Sequence, residues 1–205
     1  MDKLPVIFED TDLVVVDKPS GLVVDTVESQ TGTTLVHRLD KDTSGVMILA
    51  KTPGAVENLR KQFEERQIQK KYLALVYGAP KTDQGLITTP LRRWPKDPLR
   101  SAITEWKIIQ KYSRDGQAFT LLELAPHTGR THQLRQHLKS IGFPIVADPL
   151  YGYRKKVKTD LTWCPRLFLH AQEITFTHPG TGERTTLTSP LPADLQTVLD
   201  QNLVH

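Results

Sequence analysis

A short charged segment in the first quarter of the chain holds the residues best suited to do chemistry. It runs from His37 to Lys51, and its first half is dense in charges and hydroxyl groups, whereas Val46–Ala50 is wholly apolar. This change predicts a polar loop that leads directly into a buried strand. Such a loop can hold one carboxylate rigidly at the rim of a sheet, and Asp40 is the candidate for that carboxylate.

Two cations flank this carboxylate in the sequence. Arg38 and Lys41 lie close to Asp40 and could contact a phosphate group. Gly45 stands where the loop meets the strand, a position at which glycine lets the backbone turn sharply or lets a ligand come close. An alternative interpretation is that Asp40 only pairs with Arg38 or caps the next turn. From these residues alone, both interpretations stay open.

The segment His37–Gly45, with the sequence HRLDKDTSG, resembles the active-site motif of the RluA-type pseudouridine synthases. These enzymes isomerise uridine in ribosomal or transfer RNA. Further segments resemble other motifs of this family and follow in the family's order, and they are Lys18–Leu22, Lys70–Gly78, Thr128–Arg135 and Asp148–Gly152. The resemblance extends from about residue 6 to about residue 192.

Pseudouridine formation breaks the N-glycosidic bond, rotates the uracil and joins C1′ to C5. The resemblance implies that Asp40 is the catalytic carboxylate beside the sugar, and that the reaction needs no metal, nucleotide or redox cofactor. Nucleophilic attack on C1′ and proton abstraction from C2′ are both open routes for this carboxylate. The implied partner is RNA, as a stem-loop of ribosomal or transfer RNA.

The resemblance also implies substrate-binding residues. Tyr72 resembles the family tyrosine that stacks on the target uracil, since a phenol ring offers a base a flat apolar platform; packing in the core is the alternative. Arg135 is the implied ion-pair partner of Asp40, because a guanidinium can bind a carboxylate through two hydrogen bonds. Arg130 is the competing partner. The implied set is completed by Arg38, His37, Leu134 and His132.

A non-catalytic RNA-binding module of the same fold is the rival function. A degenerate member of the family would be expected to lose Asp40, Tyr72 or the arginine, and all are present. A metal-dependent hydrolase is not expected. His127, His132 and His137 recur every five residues, a step that turns a helical side chain roughly 140° past a full turn, so they do not converge on one ion.

Composition narrows the class of protein further. Of 205 residues, 38% are hydrophobic and 24% charged, which is typical of a globular protein, and the net charge of +4 favours a polyanionic partner. The single cysteine, Cys164, excludes an intrachain disulfide and suits a reducing compartment. The first residues lack the layout of a signal peptide, and no apolar run reaches the ~18 residues of a membrane helix. We therefore expect a cytoplasmic protein, with a monomer as the default.

The order of predicted elements indicates an α+β fold. We expect strands at 5–8, 13–18, 46–51 and 71–77, and hairpins at 101–111 with 117–125 and at 166–177 with 183–188. Helices are expected at 53–66, 130–141 and 192–199, and residues 25–34 are interpreted as a loop. Many strands with few helices predict a single domain over residues 1–205 with a largely antiparallel mixed sheet.

The resemblance implies more about this architecture. It implies the pseudouridine synthase fold, with flanking helices and an RNA-binding cleft, in a chain that carries the catalytic domain without the S4 RNA-binding domain found in many relatives. Segment 22–36 is shorter than in relatives, so the structure of the substrate-facing rim on that side does not follow from the resemblance.

Two basic segments could add contacts to RNA. Residues 80–100 combine prolines, Trp94 and four cations that could contact phosphates and a base face, and these cations are Arg92, Arg93, Lys96 and Arg100. The alternative is a solvated loop with Trp94 packed on the core. A second run comprises Arg154, Lys155, Lys156 and Lys158. A solvated loop is its default interpretation, and contact with the RNA backbone is the alternative.

Overall fold

The computed structural model describes residues 4–201, 203 and 204. Within them, ten strands and five helices follow one another along the chain. The strands are β1 (Val6–Glu9), β2 (Leu13–Lys18), β3 (Thr34–Leu35), β4 (Ser44–Ala50), β5 (Gln69–Tyr77), β6 (Gln84–Ile87), β7 (Thr104–Arg114), β8 (Gln117–Pro126), β9 (Leu169–Thr177) and β10 (Arg184–Thr188). The helices are α1 (Val24–Thr31), α2 (Pro53–Glu64), α3 (Gln133–Ser140), α4 (Val157–Asp160) and α5 (Ala193–Gln201).

These elements form two compact units. Among the described residues, the first contains 4–71 together with His170–Pro190, and the second contains Tyr72–Leu169 together with those from Leu191 to residue 204. None of the helices in the described part of the chain is both long enough and apolar enough to span a bilayer. Folding of residues 1–205 as one domain stays a prediction.

The strands of the first unit gather around β4. Strands β2 and β3 each pair with β4 in antiparallel orientation, β1 pairs with β2, and β10 pairs with β9. Strands β4 and β9 run parallel, with Ser44 opposite His170 and Gly45 opposite Ala171. Every residue of β4 is buried. A strand buried on both faces has no solvent side, which explains the uninterrupted apolar run Val46–Ala50.

Gly45 permits the close approach of β4 to β9. Its φ of +118° lies in a region that residues with a Cβ rarely adopt, and an added Cβ would stand 2.1 Å from the carbonyl oxygen of Ala171. Backbone conformation and available space therefore both require glycine here. The group that comes close to Gly45 is the backbone of the neighbouring strand, and the approach of a ligand at this position stays a prediction.

Helix α2 begins at Pro53, as the sequence predicts, and the Thr52 side chain caps it by accepting a hydrogen bond from the Ala55 amide at 3.2 Å. The prediction of a loop at residues 25–34 is wrong, because Val24–Thr31 forms α1 and Gly32 ends it in the left-handed conformation. Only two side chains of α1, Val24 and Val27, are buried. Two apolar positions are too few to produce a recognisable helical period.

The second unit is built on the antiparallel strands β5, β8, β7 and β6, paired in that order. The predicted hairpin is confirmed as β7 and β8, which turn at Asp115 and Gly116, both with positive φ. A register shift between Ile108 and Gln110 interrupts β7. Because the β4–β9 pair is parallel and the other strand pairs described above are antiparallel, the mixed, mostly antiparallel sheet is confirmed.

Helix α3 is shorter than predicted. It begins at Gln133 instead of residue 130, because His132 adopts the left-handed conformation with φ 51°, through which a right-handed helix does not continue. Gly142 follows the helix with φ 85°, as expected for a helix end. Residues 80–100 are less irregular than the prolines suggested, since they include β6 and a backbone bridge between Leu91 and Arg100.

Candidate active site

Asp40 lies on the loop between β3 and β4 and is half-buried. Its backbone carbonyl accepts a hydrogen bond from the Thr43 amide at 3.1 Å, which closes a tight turn just before the strand begins. The strand that follows is completely buried. The carboxylate is therefore carried by a short turn attached to a core strand, in the position that the sequence pattern predicts.

The buried ammonium group of Lys18 fixes this turn. The residue is 0% exposed, and its Nζ donates hydrogen bonds to the carbonyl oxygens of Pro19 and Leu22 at 2.9 Å and of Lys41 at 3.1 Å. A buried charge is costly unless it is hydrogen-bonded. The three carbonyl groups therefore stabilise the ammonium, and the ammonium in turn holds the Pro19–Leu22 segment against the turn that carries Asp40.

Two further hydrogen bonds join the same segments. The Ser20 hydroxyl donates to the carbonyl of Asp42 at 2.8 Å, and the Gly21 amide donates to the carbonyl of Lys41 at 2.9 Å. The Lys-Pro motif thus supports the loop next to it. The resemblance to the family identified this motif but assigned it no role. The sequence around Lys18 does not indicate that this lysine, at the end of a strand, is buried.

His37 is half-buried and is held by contacts within the first unit. Its Nε2 accepts a hydrogen bond from the Ile48 amide at 2.9 Å, and its ring stacks on Phe63 at 4.8 Å between centroids. Burial, and secondly the positive charge of Lys70, lowers the pKa of His37 to about 3. A ring nitrogen that accepts a hydrogen bond carries no proton, so the imidazole is neutral with its proton on Nδ1. His37 therefore attaches the loop to β4, and its contact with RNA stays a prediction.

A second histidine holds the start of β4 from the side of β9. The Ser44 hydroxyl lies 3.0 Å from Nδ1 of His170, and Nε2 of the same ring lies 3.0 Å from the carbonyl oxygen of Ser189. A carbonyl oxygen only accepts, so Nε2 carries a proton and donates it to the Ser189 carbonyl. Arg38, in the loop itself, is exposed.

Tyr72 and Leu134 belong to the second unit. Tyr72 lies in β5 opposite Leu124 of β8 and is buried. Leu134 lies in α3 and is also buried. Stacking of the tyrosine on a uracil, and the role of Leu134 in substrate binding, stay predictions.

Arg135 forms a buried, two-pronged ion pair with Asp148. Its Nε donates to Oδ2 at 2.8 Å and its Nη2 donates to Oδ1 at 2.7 Å. Arg135 is 3% exposed, and Asp148 is fully buried. The guanidinium also lies 5.2 Å from the centre of the Tyr151 ring. Both partners are thereby compensated inside the protein, and the plane of the guanidinium is fixed.

The segment from Asp148 to Gly152 is folded around this ion pair. Oδ1 of Asp148 also accepts hydrogen bonds from the amides of Leu150 and Tyr151, each at 2.9 Å. Burial alone would raise the pKa of Asp148, but the hydrogen bonds and charge of Arg135, with these two amides, bring that pKa below its ordinary value. Gly152 is required because an added Cβ would stand 2.5 Å from the carbonyl oxygen of Asp148.

His132 approaches the same tyrosine from the other end. Its Nδ1 lies 3.2 Å from the Tyr151 hydroxyl, and the two rings meet edge to face. Tyr151 therefore has His132 at its hydroxyl and the guanidinium of Arg135 near its ring. Sequence reasoning assigned no role to Tyr151 or Asp148, although both stand in a motif of the family pattern.

Arg130 lies in the turn before α3 and is half-buried. Its Nε donates to the carbonyl of Ser101 at 3.1 Å, and its amide donates to Oε1 of Gln133 at 3.0 Å. Gln133 is buried, accepts a second hydrogen bond from the Thr128 hydroxyl at 2.7 Å, and donates to the carbonyl of Ile103 at 3.0 Å. Gln133 thus fixes the turn that carries Arg130 and His132. Only its place inside a family motif could have pointed to it.

The histidines at residues 127, 132 and 137 have separate partners. His127 lies 3.0 Å from a carboxylate oxygen of Glu105, and His137 contacts the Thr104 hydroxyl and the Thr89 carbonyl, each at 2.9 Å. The helical argument from sequence does not apply to them, because only His137 lies in α3 and His132 precedes it in the left-handed conformation.

Asp10, Asp12 and His178 bring potential ligand atoms within 4.8 Å of one another. The tautomer of His178 argues against a metal centre there. Its Nδ1 accepts from the amides of Gly180 and Thr181 at 3.2 Å, so the proton lies on Nε2, which faces Oδ2 of Asp10 at 2.8 Å. For Nε2 to bind a metal ion as part of a neutral ring, the proton would have to move to Nδ1, which the two amides already occupy. The arrangement is that of an imidazole–carboxylate pair.

Comparison with known proteins places the chain in a family. A family profile described as RNA pseudouridylate synthase matches residues 12–140. The chain is 36% identical to ribosomal large subunit pseudouridine synthase D of Nitrosomonas europaea, over 98% of this chain and 67% of that protein. It is also 36% identical to ribosomal large subunit pseudouridine synthase C of Buchnera aphidicola, over 97% of this chain and 70% of that protein.

A solved structure supports the same assignment and confirms the predicted fold. Human RNA pseudouridylate synthase domain containing 1 superimposes with a TM-score of 0.82 at 26% identity, over 95% of this chain and 87% of that one. Sequence motifs, strand arrangement and the match along most of the chain agree. The chain therefore belongs to the RNA pseudouridylate synthase family and is an isomerase of that class.

Proposed function

We propose that this protein converts specific uridines of ribosomal RNA to pseudouridine, with Asp40 as the catalytic carboxylate and without a cofactor. The observation that carries the proposal is the fixation of the Asp40 turn by the buried Lys18 ammonium. A catalytic group must be held within a fraction of an ångström of its productive position, which a turn anchored to a core strand provides.

Ribosomal RNA is favoured over transfer RNA as the substrate by the names of two relatives. The proteins of Nitrosomonas europaea and Buchnera aphidicola are both named for the large ribosomal subunit. Each matches nearly the whole length of the present chain. Transfer RNA is the alternative, and a stem-loop is the expected form of either substrate. The cytoplasmic location and the monomeric state stay predictions. The single cysteine of the chain, Cys164, is buried, so it is unsuited to forming a disulfide with a second chain.

Arg135 is part of the proposal as the counterion of Asp40. A carboxylate that must stay ionised near a base needs a cation shielded from solvent, and Arg135 is buried whereas Arg130 is only half-buried. Its contact with Asp148 occupies Nε and Nη2, and a guanidinium has five N–H donors, so Arg135 can serve a second carboxylate. Tyr72 as the stacking platform, and Arg38, His37, Leu134, Arg130 and His132 as substrate contacts, complete the proposal.

The experiment measures tritium released from RNA that is labelled at C5 of uracil, because isomerisation replaces that hydrogen and binding does not. We expect release from large-subunit ribosomal RNA, and none with Asp40→Asn, which keeps the side-chain shape but removes the charge. Asp25→Asn is the control, an exposed carboxylate of α1 in the same unit. Release by Asp40→Asn at the rate of the control would exclude Asp40 as the catalytic group.

Two other outcomes decide the rest of the proposal. Release from transfer RNA but not from ribosomal RNA would transfer the proposal to the alternative substrate. RNA binding by the native protein without release from any labelled RNA would favour the non-catalytic binding module.

A further inference from the structure

Trp94 is the exception among the three tryptophans of the chain. It is 61% exposed, whereas Trp106 is 8% and Trp163 is 9% exposed. The alternative considered from sequence, a loop with this ring packed on the core, is therefore wrong. Tryptophan is highly buried on average in folded proteins, so an exposure of this size is unusual for the residue.

The segment that carries this ring, residues 91–100, is a mostly exposed loop closed by hydrogen bonds, here called the Trp94 arm. Its ends are joined by two backbone hydrogen bonds between Leu91 and Arg100, at 2.9 and 2.8 Å. At its tip, the Asp97 amide donates to the Trp94 carbonyl at 2.9 Å, and the Asp97 carboxylate accepts from the Trp94 amide at 3.1 Å. The ring is thus presented by a closed turn.

Buried residues hold the base of the arm. Leu91 is buried, and His137 in α3 contacts the carbonyl of Thr89, just before the arm, at 2.9 Å. Burial lowers the pKa of His137, and the hydrogen bond to the Thr89 carbonyl opposes that shift. Arg130 donates to the carbonyl of Ser101, just after the arm. The motif that contains Arg130 is therefore attached directly to the base of the Trp94 arm.

The surface of the arm is positively charged. It carries four cations and one carboxylate, and the exposed cations are Arg92, Arg93, Lys96 and Arg100. The Arg93 guanidinium lies 5.8 Å from the centre of the Trp94 ring. An aromatic face among cations matches a nucleotide, since the base stacks on the ring while its phosphates meet the charges.

We infer that the Trp94 arm binds an unpaired nucleotide of the RNA substrate at a position other than the reacting uridine. Trp94 stacks on the base, and the surrounding cations contact the neighbouring phosphates. This inference rests on the proposed action on RNA. An anionic membrane surface is the competing partner for a basic segment with an exposed tryptophan. The arm offers only Trp94 and Leu99 as large exposed apolar side chains, which is little for insertion into a bilayer.

The test is a fluorescence titration of the full chain with a ten-nucleotide oligouridylate at low salt. Since the other two tryptophans are buried, quenching by RNA reports mainly on Trp94. In parallel, the affinity for a fluorescein-labelled oligouridylate is measured for each variant. We expect Trp94→Ala to weaken binding by about five- to hundredfold, the range that loss of one stacked base gives. Trp94→Phe keeps a stacking face and should retain most of the affinity.

Two controls separate stacking from charge and from general surface effects. Leu86→Ala removes a side chain that is 57% exposed in β6 of the same unit and should leave binding unchanged. An abasic oligomer with the same number of phosphates should bind Trp94→Ala and the native protein with equal affinity. The double variant Arg93→Gln/Lys96→Gln should bind both the oligouridylate and the abasic oligomer more weakly than the native protein does. Equal oligouridylate affinity of Trp94→Ala and Leu86→Ala would overturn the inference. Trp94-dependent binding to phosphatidylserine vesicles, with no effect of Trp94 on RNA binding, would assign the arm to a membrane surface instead.

The tritium assay distinguishes failure of the arm from failure of the proposed function. With labelled ribosomal RNA, Trp94→Ala should raise KM while kcat at saturation stays near the native value. If the native protein releases tritium and Trp94→Ala has the native KM, the inference that the arm binds RNA is contradicted and the proposed function is supported. If the native protein releases no tritium while Trp94→Ala still loses affinity for the oligouridylate, the proposed function is contradicted and RNA binding by the arm is supported.

Discussion

Arg135 and Asp148 face each other in the second unit through two hydrogen bonds of 2.8 and 2.7 Å, and both side chains are almost completely buried. Each side chain compensates the charge of the other, but either partner alone would be a buried, uncompensated charge. Arg135 is therefore a structural residue as well as the candidate counterion of Asp40. Substitutions at this position must be tested for folding before their effect on activity is interpreted.

Arg135→Ala should lower the free energy of unfolding by ~3–5 kcal/mol, since it leaves the Asp148 carboxylate buried without its cation. Arg135→Lys keeps the charge but not the two-pronged geometry, so its effect should be smaller. Urea unfolding of the purified variants measures both. Arg130→Ala is the control; it removes a half-exposed contact and should cost about 0.5 kcal/mol or less. Equal destabilisation at residues 130 and 135 would contradict the importance of the buried pair.

His37 should make stability depend on pH. Its pKa is about 3 in the folded protein, against an ordinary value of 6.5. Between these pH values the unfolded chain binds a proton at His37 and the folded protein does not, so the free energy of unfolding rises with pH. The contribution is therefore lost as pH falls from about 6.5 towards 3.

His37→Gln removes this titration. The difference in unfolding free energy between the native protein and His37→Gln should shrink as pH is lowered from neutral to acidic values. Urea unfolding at several pH values measures this difference, and other titrating groups cancel because both proteins contain them. A constant difference across the range would show that the ring is not held in its neutral form.

Gly45→Ala should disrupt the first unit, because the added methyl group would stand 2.1 Å from the Ala171 carbonyl oxygen and would require an unfavourable φ. We expect loss of cooperative unfolding or a large drop in melting temperature. Gly54→Ala in α2 is the matched control, since no atom lies within 4 Å of its added Cβ. That variant should be neutral or slightly stabilising. Native-like melting of Gly45→Ala would show that β4 and β9 can separate without cost.

The basic run after Tyr153 should contribute to salt-dependent RNA binding through its exposed members. The structure separates them: Arg154, Lys155 and Lys158 are exposed, whereas Lys156 donates to Gln117 at 2.8 Å. Changing the three exposed residues to Gln should make the slope of log affinity against log salt shallower, by about 0.7 for each phosphate that the variant no longer neutralises. Lys156→Gln should instead mainly lower stability. An unchanged slope in the triple variant would identify the run as solvated surface.

Local patterns predicted the parts of the site that depend on neighbouring residues. The change from charged to apolar residues predicted that Asp40 stands on a loop before a buried strand, and Pro53 marked the start of α2. These features follow from short-range rules of backbone geometry and solvent exposure. Helix α1 was missed because its stability depends on the packing of two valines, which a single segment does not show.

The supporting interactions could not be predicted, because each joins residues that are distant in the sequence or of unexpected burial. Lys18 has the sequence context of a surface lysine, yet it contacts a carbonyl 23 residues away. The pairing of Arg135 with Asp148 depends on the fold of the intervening turn. The exposure of Trp94 contradicts the usual preference of tryptophan for the interior. Motif resemblance marked most of these residues but gave no physical role for them.

The buried Lys18 ammonium has a consequence for hydrogen exchange. Local opening of the Asp40 turn would withdraw the Lys41 carbonyl from the ammonium and from the Gly21 amide at once. Small fluctuations of a surface loop normally break one weak interaction at a time, but here opening would also remove one of the three carbonyls that compensate a buried ammonium. The Gly21 amide should therefore exchange with solvent more slowly than is usual for an amide in an exposed loop.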